Sequence, residues 1–176
     1  THKLLSHRMV HRHPQHPPHV YCSSLDELNK YFLRFCLPSV INQKNKNFTW
    51  LIFFQKGTES NLKPILLELE NFCFIKPVFI DRIGELEHSI YLNISSEIEE
   101  NVKKIVMTRL DNDDALGNNF TNKIQQSAKL LKQDSIIDIP NGLCLDIYGN
   151  YKLTKILFRL NQFISIVRSP ENFRAG

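Results

Sequence analysis

Three carboxylates lie within four residues of this 176-residue sequence, at Asp111, Asp113 and Asp114. They follow a short apolar run, Lys104 to Thr108, which is typical of a buried strand. Like charges this close repel one another, so the cluster is unfavourable unless a cation or several hydrogen-bond donors neutralise it. Carboxylate oxygens at the end of a strand therefore indicate a Mg²⁺ or Mn²⁺ site, in which the ion also binds phosphate oxygens of a substrate.

Two other interpretations of this acidic turn stay open. The three side chains could be solvated surface residues that meet the N-terminal dipole of the following helix. An Asp-x-Asp sequence after a strand is also typical of Mg²⁺-dependent phosphohydrolases, in which the first Asp is the nucleophile. The spacing does not match a calcium-binding EF-hand, because positions five and twelve counted from Asp111 are Ala115 and Asn122.

A second group of metal-binding residue types lies near the N-terminus. Residues 1–20 contain six of the seven histidines, several prolines and no helical or strand periodicity, so we expect an irregular leader. Its histidines could hold zinc or nickel, which makes a non-catalytic metal-binding module one alternative for the chain. A solvated leader is favoured, because flexible Pro-rich spacing fixes no coordination geometry. The histidines concerned are His11, His13, His16 and His19.

The composition indicates a globular protein with a nearly neutral body. Hydrophobic residues make up 42% and charged residues 23% of the sequence, close to ordinary globular usage. The net charge is +4, and Lys3, Arg8 and Arg12 contribute three of these charges, so a nucleic-acid partner is not expected. The four cysteines form no CxxC pair, which predicts reduced core thiols in a cytoplasmic protein.

Helix and strand patterns alternate on both sides of the acidic turn. Helical spacing predicts helices over about residues 25–37, 61–69, 85–101 and 120–131, and apolar runs predict strands over 48–54, 74–80 and 104–108. Two further strands, 135–139 and 143–148, are expected to pair as a hairpin around Pro140-Asn141-Gly142. This pattern predicts an α/β sandwich around a largely parallel sheet. Ligands of such sheets bind beyond the carboxyl ends of the strands, where the acidic turn would lie.

Three stretches of the sequence resemble a single protein family. The first contains Cys36-Leu37-Pro38-Ser39-Val40 and Gln43 and continues to Ile52. The second, Met107 to Leu116, contains the acidic turn, and the third is Asn161 to Ile166. In this order they are similar to the putative rhamnosyltransferase family, a group of bacterial glycosyltransferases.

The resemblance implies a GT-A-like, Rossmann-like α/β/α sandwich with a mostly parallel central sheet. It implies a metal-dependent transfer of a sugar, rhamnose by the family's name, from a nucleoside diphosphate sugar to a glycan or a lipid-linked acceptor. Asp111 and Asp113 would form the DxD element that holds Mn²⁺ or Mg²⁺ against the diphosphate. Asp114 would be a third ligand or would orient the others, and Arg109 would contact phosphate, although a strand-end salt bridge is favoured for this arginine.

Other parts of the family pattern have no evident match. Its opening strand is not recognisable in residues 1–19, and Gln55 stands where an acidic residue is expected. We therefore expect one domain over residues 21–176, truncated at both ends. A fragment that binds metal or nucleotide without catalysis is the alternative to an active transferase.

The sequence assigns no catalytic base and no oligomeric state. Asp138 and Asp146 lie near the acidic turn in sequence, but they are expected to be strand-end or turn acids. The expected location is the cytoplasm. Peripheral contact with the inner face of the membrane, through Lys103 and Lys104, is a secondary expectation.

Overall fold

A computed structural model of the chain describes residues 2–7, 30–147, 149–161 and 163–175, and it shows a mixed α/β fold. The strands are β1 His2–His7, β2 Phe48–Gln55, β3 Ile75–Ile80, β4 Lys104–Arg109, β5 Ser135–Ile137, β6 Asn141–Leu145, β7 Leu153–Leu157 and β8 Ser165–Arg168. Helix α1 joins a π-helical turn, Phe32–Cys36, to an α-helical turn, Leu37–Ile41. The other helices are α2 Glu59–Leu69, α3 Leu86–Glu97, α4 Phe120–Leu130 and α5 Pro170–Arg174.

Six strands form the main sheet in the order β3-β2-β1-β4-β8-β5. The first four pair in parallel, and β8 runs antiparallel to both of its neighbours, β4 and β5. The α/β class predicted from the sequence is confirmed, but the sheet is mixed. Because β5 is antiparallel to β8, it runs in the same direction as β4. The carboxyl ends of β4 and β5 therefore lie at the same edge of the sheet.

Helices cover both faces of the main sheet. On one face, α1, α2 and α4 pack against a core that includes Trp50 and Val106. On the other face, α3 and α5 pack against a core that includes Leu51 and Ile105. Because helices cover both faces, β2 is buried at seven successive positions, and six of these residues are apolar. Trp50 is part of this buried core, and its ring lies 5.9 Å from that of Phe32.

The prediction of an irregular leader is wrong for His2–His7. These residues form β1, which pairs in parallel with β2 on one side and β4 on the other. Pairing on both sides comes from distant parts of the chain and leaves no periodic signal in the strand itself. The four histidines at positions 11, 13, 16 and 19 lie outside the described residues. The domain boundary near residue 20 stays a prediction.

The predicted hairpin partner is also wrong. β5 joins the main sheet through β8, whereas β6 pairs with β7 in a separate two-stranded sheet. The turn at Pro140 therefore leads from one sheet to the other and does not reverse a single hairpin. Pro77, which has no amide donor, lies in β3, and β3 is the outermost strand of the main sheet.

Buried thiols and membrane-spanning helices can be assessed for the described part of the chain. Cys36 is buried, but Cys73 and Cys144 are exposed, so the expectation of core thiols is confirmed only for Cys36. Within the described residues, no helix is both long enough and apolar enough to cross a membrane.

Candidate functional site

The acidic turn lies directly after β4, at the carboxyl edge of the main sheet. Leu110 is buried and anchors the end of the strand in the core. The turn is closed by a backbone hydrogen bond of 3.3 Å from the amide of Asp114 to the carbonyl of Asp111. The side chain of Asp113 is exposed and that of Asp114 is half-buried. The turn therefore presents at least one carboxylate to solvent at this edge.

Arg109 holds the carboxylate of Asp111 in a bidentate salt bridge. Its Nε donates to Oδ1 and its Nη2 donates to Oδ2, each at 3.0 Å. Both side chains are partly buried, which favours a defined geometry over a loose surface pair. The strand-end salt bridge favoured for Arg109 from the sequence is thus present.

The metal ligands predicted from the sequence stay a prediction. In the described part of the chain, no three His, Cys, Asp or Glu side chains come together as a group that could hold a metal ion. Of the three predicted carboxylates, Asp111 accepts both hydrogen bonds from Arg109, and Asp113 is the one most open to solvent.

Helix α1 fixes the start and the end of the loop that follows β4. The Sγ of Cys36 donates a long hydrogen bond of 3.5 Å to the carbonyl of Asp111. The hydroxyl of Ser39 donates to the Cys36 carbonyl at 2.7 Å and accepts from the amide of Leu116 at 3.0 Å. Two side chains of one short helix therefore hold both ends of the acidic segment.

Gln43 makes the most complete set of contacts to this loop. Its Nε2 donates to the carbonyls of Ser39 and Gly117, each at 2.8 Å. Its Oε1 accepts from the amide of Thr121 at 3.1 Å and from the hydroxyl of Thr121 at 3.2 Å. The side chain is 2% exposed, and these four bonds satisfy both of its donors and both acceptor positions.

A ladder of polar contacts continues along α4. The Nδ2 of Asn45 donates to Oε1 of Gln125 at 2.9 Å, and Nε2 of Gln125 donates to the carbonyl of Asn47 at 2.6 Å. The amide of Lys44 donates to the carbonyl of Asn118 at 2.8 Å. We call this set the polar clamp; its side chains are Ser39, Gln43, Asn45, Thr121 and Gln125.

The polar clamp is the part of the site that sequence reasoning missed. Ser39 and Gln43 lie in the first of the stretches that resemble the family, but the sequence does not show what they contact. A usable signal was the presence of Thr121 and Gln125 on the buried face of α4, where an amphipathic helix normally places apolar residues.

Asn112 has an unpartnered donor within the acidic turn. Its side chain is 7% exposed, and its Nδ2 has no hydrogen-bond partner among the described residues. A buried amide without a partner is unfavourable by roughly 1–3 kcal/mol. This N–H group is therefore suited to an acceptor contributed from beyond the described residues.

Asp138 lies at the same edge of the sheet as the acidic turn. The register places Thr108, Ser165 and Ile137 level with one another across β4, β8 and β5, about 10 Å from the first to the last. The Oδ2 of Asp138 accepts from the amide of Leu160 at 3.0 Å, and its Oδ1 is buried with no partner in the described part of the chain. It is a strand-end acid, as expected.

Asp146 and the lysine pair occupy other positions. Asp146 accepts from the amide of Gly149 at 2.9 Å in the turn after β6, so it is a turn acid as expected. The Nζ of Lys104 donates to the carbonyls of Ala128 and Leu131 at the C-terminal end of α4. This contact leaves Lys103 as the exposed member of the predicted membrane-binding pair.

Together these contacts define an α/β protein that presents an acidic turn, clamped by buried polar groups, at the carboxyl edge of its sheet. A family model with the description putative rhamnosyl transferase matches residues 23–154, which include the polar clamp and the acidic turn. The chain belongs to this family, as its sequence resemblance implied. Membership indicates a glycosyltransferase that acts on a sugar donor and an acceptor. A search of curated proteins found no match to the chain.

Proposed function

We propose that this protein binds a nucleoside diphosphate sugar at the acidic turn and transfers the sugar to a hydroxyl group of a glycan or lipid-linked acceptor. Family membership supports the reaction class and suggests rhamnose as the sugar. The main support for this location of the binding site is the acidic turn at the carboxyl edge of the sheet, which Ser39 and Gln43 hold in place.

The proposal includes a GT-A-like arrangement of the domain. Four neighbouring parallel strands, β3-β2-β1-β4, with helices on both faces support it. In open α/β sheets of this kind, ligands bind in the crevice beyond the carboxyl ends of the strands. The two antiparallel pairings of β8 would then form the far side of the same domain.

Asp113 is the proposed principal ligand of Mn²⁺ or Mg²⁺, with Asp114 and Asp111 as its neighbours in the turn. Hard carboxylate oxygens suit these ions, and Mg²⁺ usually binds only one or two carboxylates together with substrate phosphates. One or two carboxylates of this turn would therefore be sufficient to hold such an ion together with substrate phosphates. When bound, the ion supplies Lewis-acid stabilisation of the departing nucleoside diphosphate.

Arg109 is the proposed phosphate contact. Its salt bridge with Asp111 uses Nε and Nη2 and fixes the plane of the guanidinium at the end of β4. The other terminal nitrogen, Nη1, is not part of this pair and can donate to a phosphate oxygen. Asp111 would then act mainly by holding Arg109 in position.

Calorimetric titration tests this proposal. UDP, GDP and dTDP are titrated separately into the full chain with Mn²⁺, and then again with a chelator present. We expect one nucleotide to bind in a metal-dependent manner, and Asp113→Ala to weaken its binding by at least about tenfold, roughly 1.4 kcal/mol. The matched control is Glu100→Ala, an exposed acid just before β4 at the opposite edge, which should bind like the wild type.

Two results would overturn the proposed site. One is the absence of nucleotide binding by a chain that unfolds cooperatively and is therefore folded. The other is tight binding that Asp113→Ala leaves unchanged, which would place the nucleotide elsewhere. A sugar-transfer assay on the nucleotide that binds then separates an active transferase from a fragment that only binds its donor.

A further inference from the structure

The two-stranded sheet of β6 and β7 exposes an unusual amount of apolar surface. Every residue of both strands is exposed, and neither face is covered by a described part of the chain. Leu143 is 61%, Leu153 59% and Leu157 69% exposed. An isolated two-stranded sheet is only marginally stable in water, and contiguous exposed apolar patches commonly mark interaction sites.

The strand register places the leucines on a single face. Leu143 lies opposite Lys155, and Leu145 lies opposite Leu153. Successive side chains of a strand point to opposite faces, so residues two apart share a face. We call the two-stranded sheet the ribbon and this side of it the leucine face; its residues are Asn141, Leu143, Leu145, Leu153, Lys155 and Leu157.

The base of the ribbon is attached firmly to the main sheet. The amide of Phe158 donates to the carbonyl of Pro140 at 2.8 Å, and Nδ2 of Asn161 donates to the carbonyl of Ile139 at 3.0 Å. The amide of Leu160 donates to Asp138, and this bond holds the leucine at a left-handed φ of 52° with its side chain exposed. The exposed apolar surface is therefore a positioned feature of the fold.

The ribbon and its base carry an excess of positive charge. Between residues 141 and 161 the cations are Lys152, Lys155 and Arg159, and the only acid is Asp146. An apolar surface with a basic rim is complementary to an anionic lipid surface, which attracts each Lys or Arg near it by about 1 kcal/mol.

The position of Lys155 favours a lipid surface over a protein as the binding partner of the leucine face. It lies on the leucine face between Leu153 and Leu157, so a partner that covers this face would bury its ammonium group. In a two-fold pairing of two copies, both lysines would be buried against like charge, which is strongly unfavourable. At a lipid surface, the apolar stem can lie along the leucines while the ammonium group reaches the phosphates.

We propose that the leucine face docks on an anionic lipid surface. The leucines enter the boundary between headgroups and acyl chains, and Lys152, Lys155 and Arg159 contact lipid phosphates. This inference does not rest on the proposed function, since vesicle binding is measured without any nucleotide or sugar. It also moves the predicted membrane contact away from Lys104, whose ammonium group is bonded to α4.

Sedimentation with vesicles tests the proposal. The full chain is mixed with vesicles of phosphatidylcholine alone, or of phosphatidylcholine with phosphatidylglycerol. We expect binding to the anionic vesicles, and binding that weakens as salt is added. The double variant Leu153→Ser/Leu157→Ser should weaken it by at least about tenfold, and Lys155→Glu by about tenfold or more.

Matched controls come from other surfaces of the same chain. Leu67 on α2 and Leu92 on α3 are 54% and 52% exposed, so Leu67→Ser/Leu92→Ser removes two comparable leucines. Lys63→Glu makes the same charge change on an exposed lysine of α2, outside the ribbon. Both controls should bind vesicles like the wild type, and thermal unfolding should show that every variant is folded.

Three outcomes would overturn the proposal. A folded wild-type chain could fail to bind anionic vesicles at any salt concentration. The ribbon variants could bind vesicles as well as the controls do. In the third outcome, light scattering would show a wild-type dimer that the ribbon variants lose while vesicle binding is unchanged, which would identify a second copy of the chain as the occupant.

Discussion

The polar clamp and the leucine face differ in opposite directions from an ordinary protein: the clamp buries polar side chains, and the leucine face exposes apolar ones. In the clamp, amide and hydroxyl groups of Gln43, Thr121 and Gln125 are buried in the body of the protein and paired with one another or with backbone groups. On the leucine face, apolar side chains that would be buried in most proteins are exposed to solvent.

This difference indicates what each region does. A buried polar network tolerates few geometries, because each lost partner leaves an unsatisfied group in a medium of low dielectric. The clamp therefore holds the acidic turn in one conformation. Exposed leucines contribute little to folding, so their presence on a firmly attached ribbon indicates a contact outside the chain.

The largest expected effect is the loss of stability caused by a proline in β1, at the centre of the main sheet. Leu5 in β1 lies opposite Thr49 on one side and Met107 on the other, so a proline there disrupts a strand that is paired at both edges. Leu5→Pro should lower the free energy of unfolding by about 3 kcal/mol or more. Urea denaturation followed by circular dichroism measures the change.

Thr154→Pro is the matched variant in the ribbon. Among the described strands, Thr154 pairs only with Cys144, so the same substitution should change the global free energy of unfolding by less than about 1 kcal/mol. If both prolines destabilised the chain equally, the ribbon would be part of the cooperative core and not a separate, weakly coupled element.

The second largest loss of stability is expected from a substitution in the polar clamp. Gln43→Ala leaves buried groups of Gly117 and Thr121 without partners, and we expect a loss of about 2–3 kcal/mol in urea denaturation. Asn42→Ala is the control, because in the part of the chain that the structure describes this exposed neighbour bonds only to α1, and its loss should change stability by about 0.5 kcal/mol or less. A change below 1 kcal/mol for Gln43→Ala would show that the clamp is loosely held.

A buried hydroxyl pair provides a finer test of how polar contacts organise this edge. The hydroxyls of Thr108 and Ser165 lie 2.6 Å apart between β4 and β8. Ser165→Ala should destabilise the chain by about 1–2 kcal/mol, because the Thr108 hydroxyl stays buried without its partner. Adding Thr108→Val should recover most of this loss in a double-mutant cycle, whereas strictly additive losses would contradict a direct bond.

The smallest expected effect is a pH dependence at Asp134. Hydrogen bonds from Nδ2 of Asn172 and from the amide of Ser169, each 2.8 Å long, lower the pKa of this carboxyl below its usual 3.8. Because the folded-state pKa is lowered, the stabilisation is present above about pH 3.8 and is lost as pH falls through the lowered value.

Asp134→Asn should therefore lower the melting temperature slightly at neutral pH and leave it unchanged in strong acid. Calorimetry of the variant and of the wild type, over the pH range from neutral to strongly acidic, measures the difference in melting temperature. The control Glu100→Gln, an exposed acid, should show no such trend. If the melting temperature of Asp134→Asn fell further below that of the wild type as the pH is lowered, the sign would contradict this mechanism.

Local patterns in the sequence predicted the elements whose signals are local. The apolar runs of β2 and β4 and the acidic turn after β4 follow from neighbouring residues. The groups of the loop and of α4 that Ser39 and Gln43 contact lie 74 to 78 residues further along the chain, so no local pattern could show the polar clamp.

The same limit explains the errors in the predicted sheet. β6 has a neighbour at the correct distance for a hairpin, β5, but β5 pairs with β8 about thirty residues later. β1 lies in a stretch whose histidines and prolines dominate its composition, and its strand conformation depends on two partners that come later in the sequence.

The central position of β1 also determines the order in which the chain can fold during synthesis. β1 leaves the ribosome before either of its partners, and Met107 of β4 follows Leu5 by 102 residues. At about 5–20 residues per second, β1 therefore has at least one unpaired edge for roughly 5–20 seconds. Nascent chains of this protein should therefore bind chaperones until β4 emerges, and release from them should coincide with closure of the sheet.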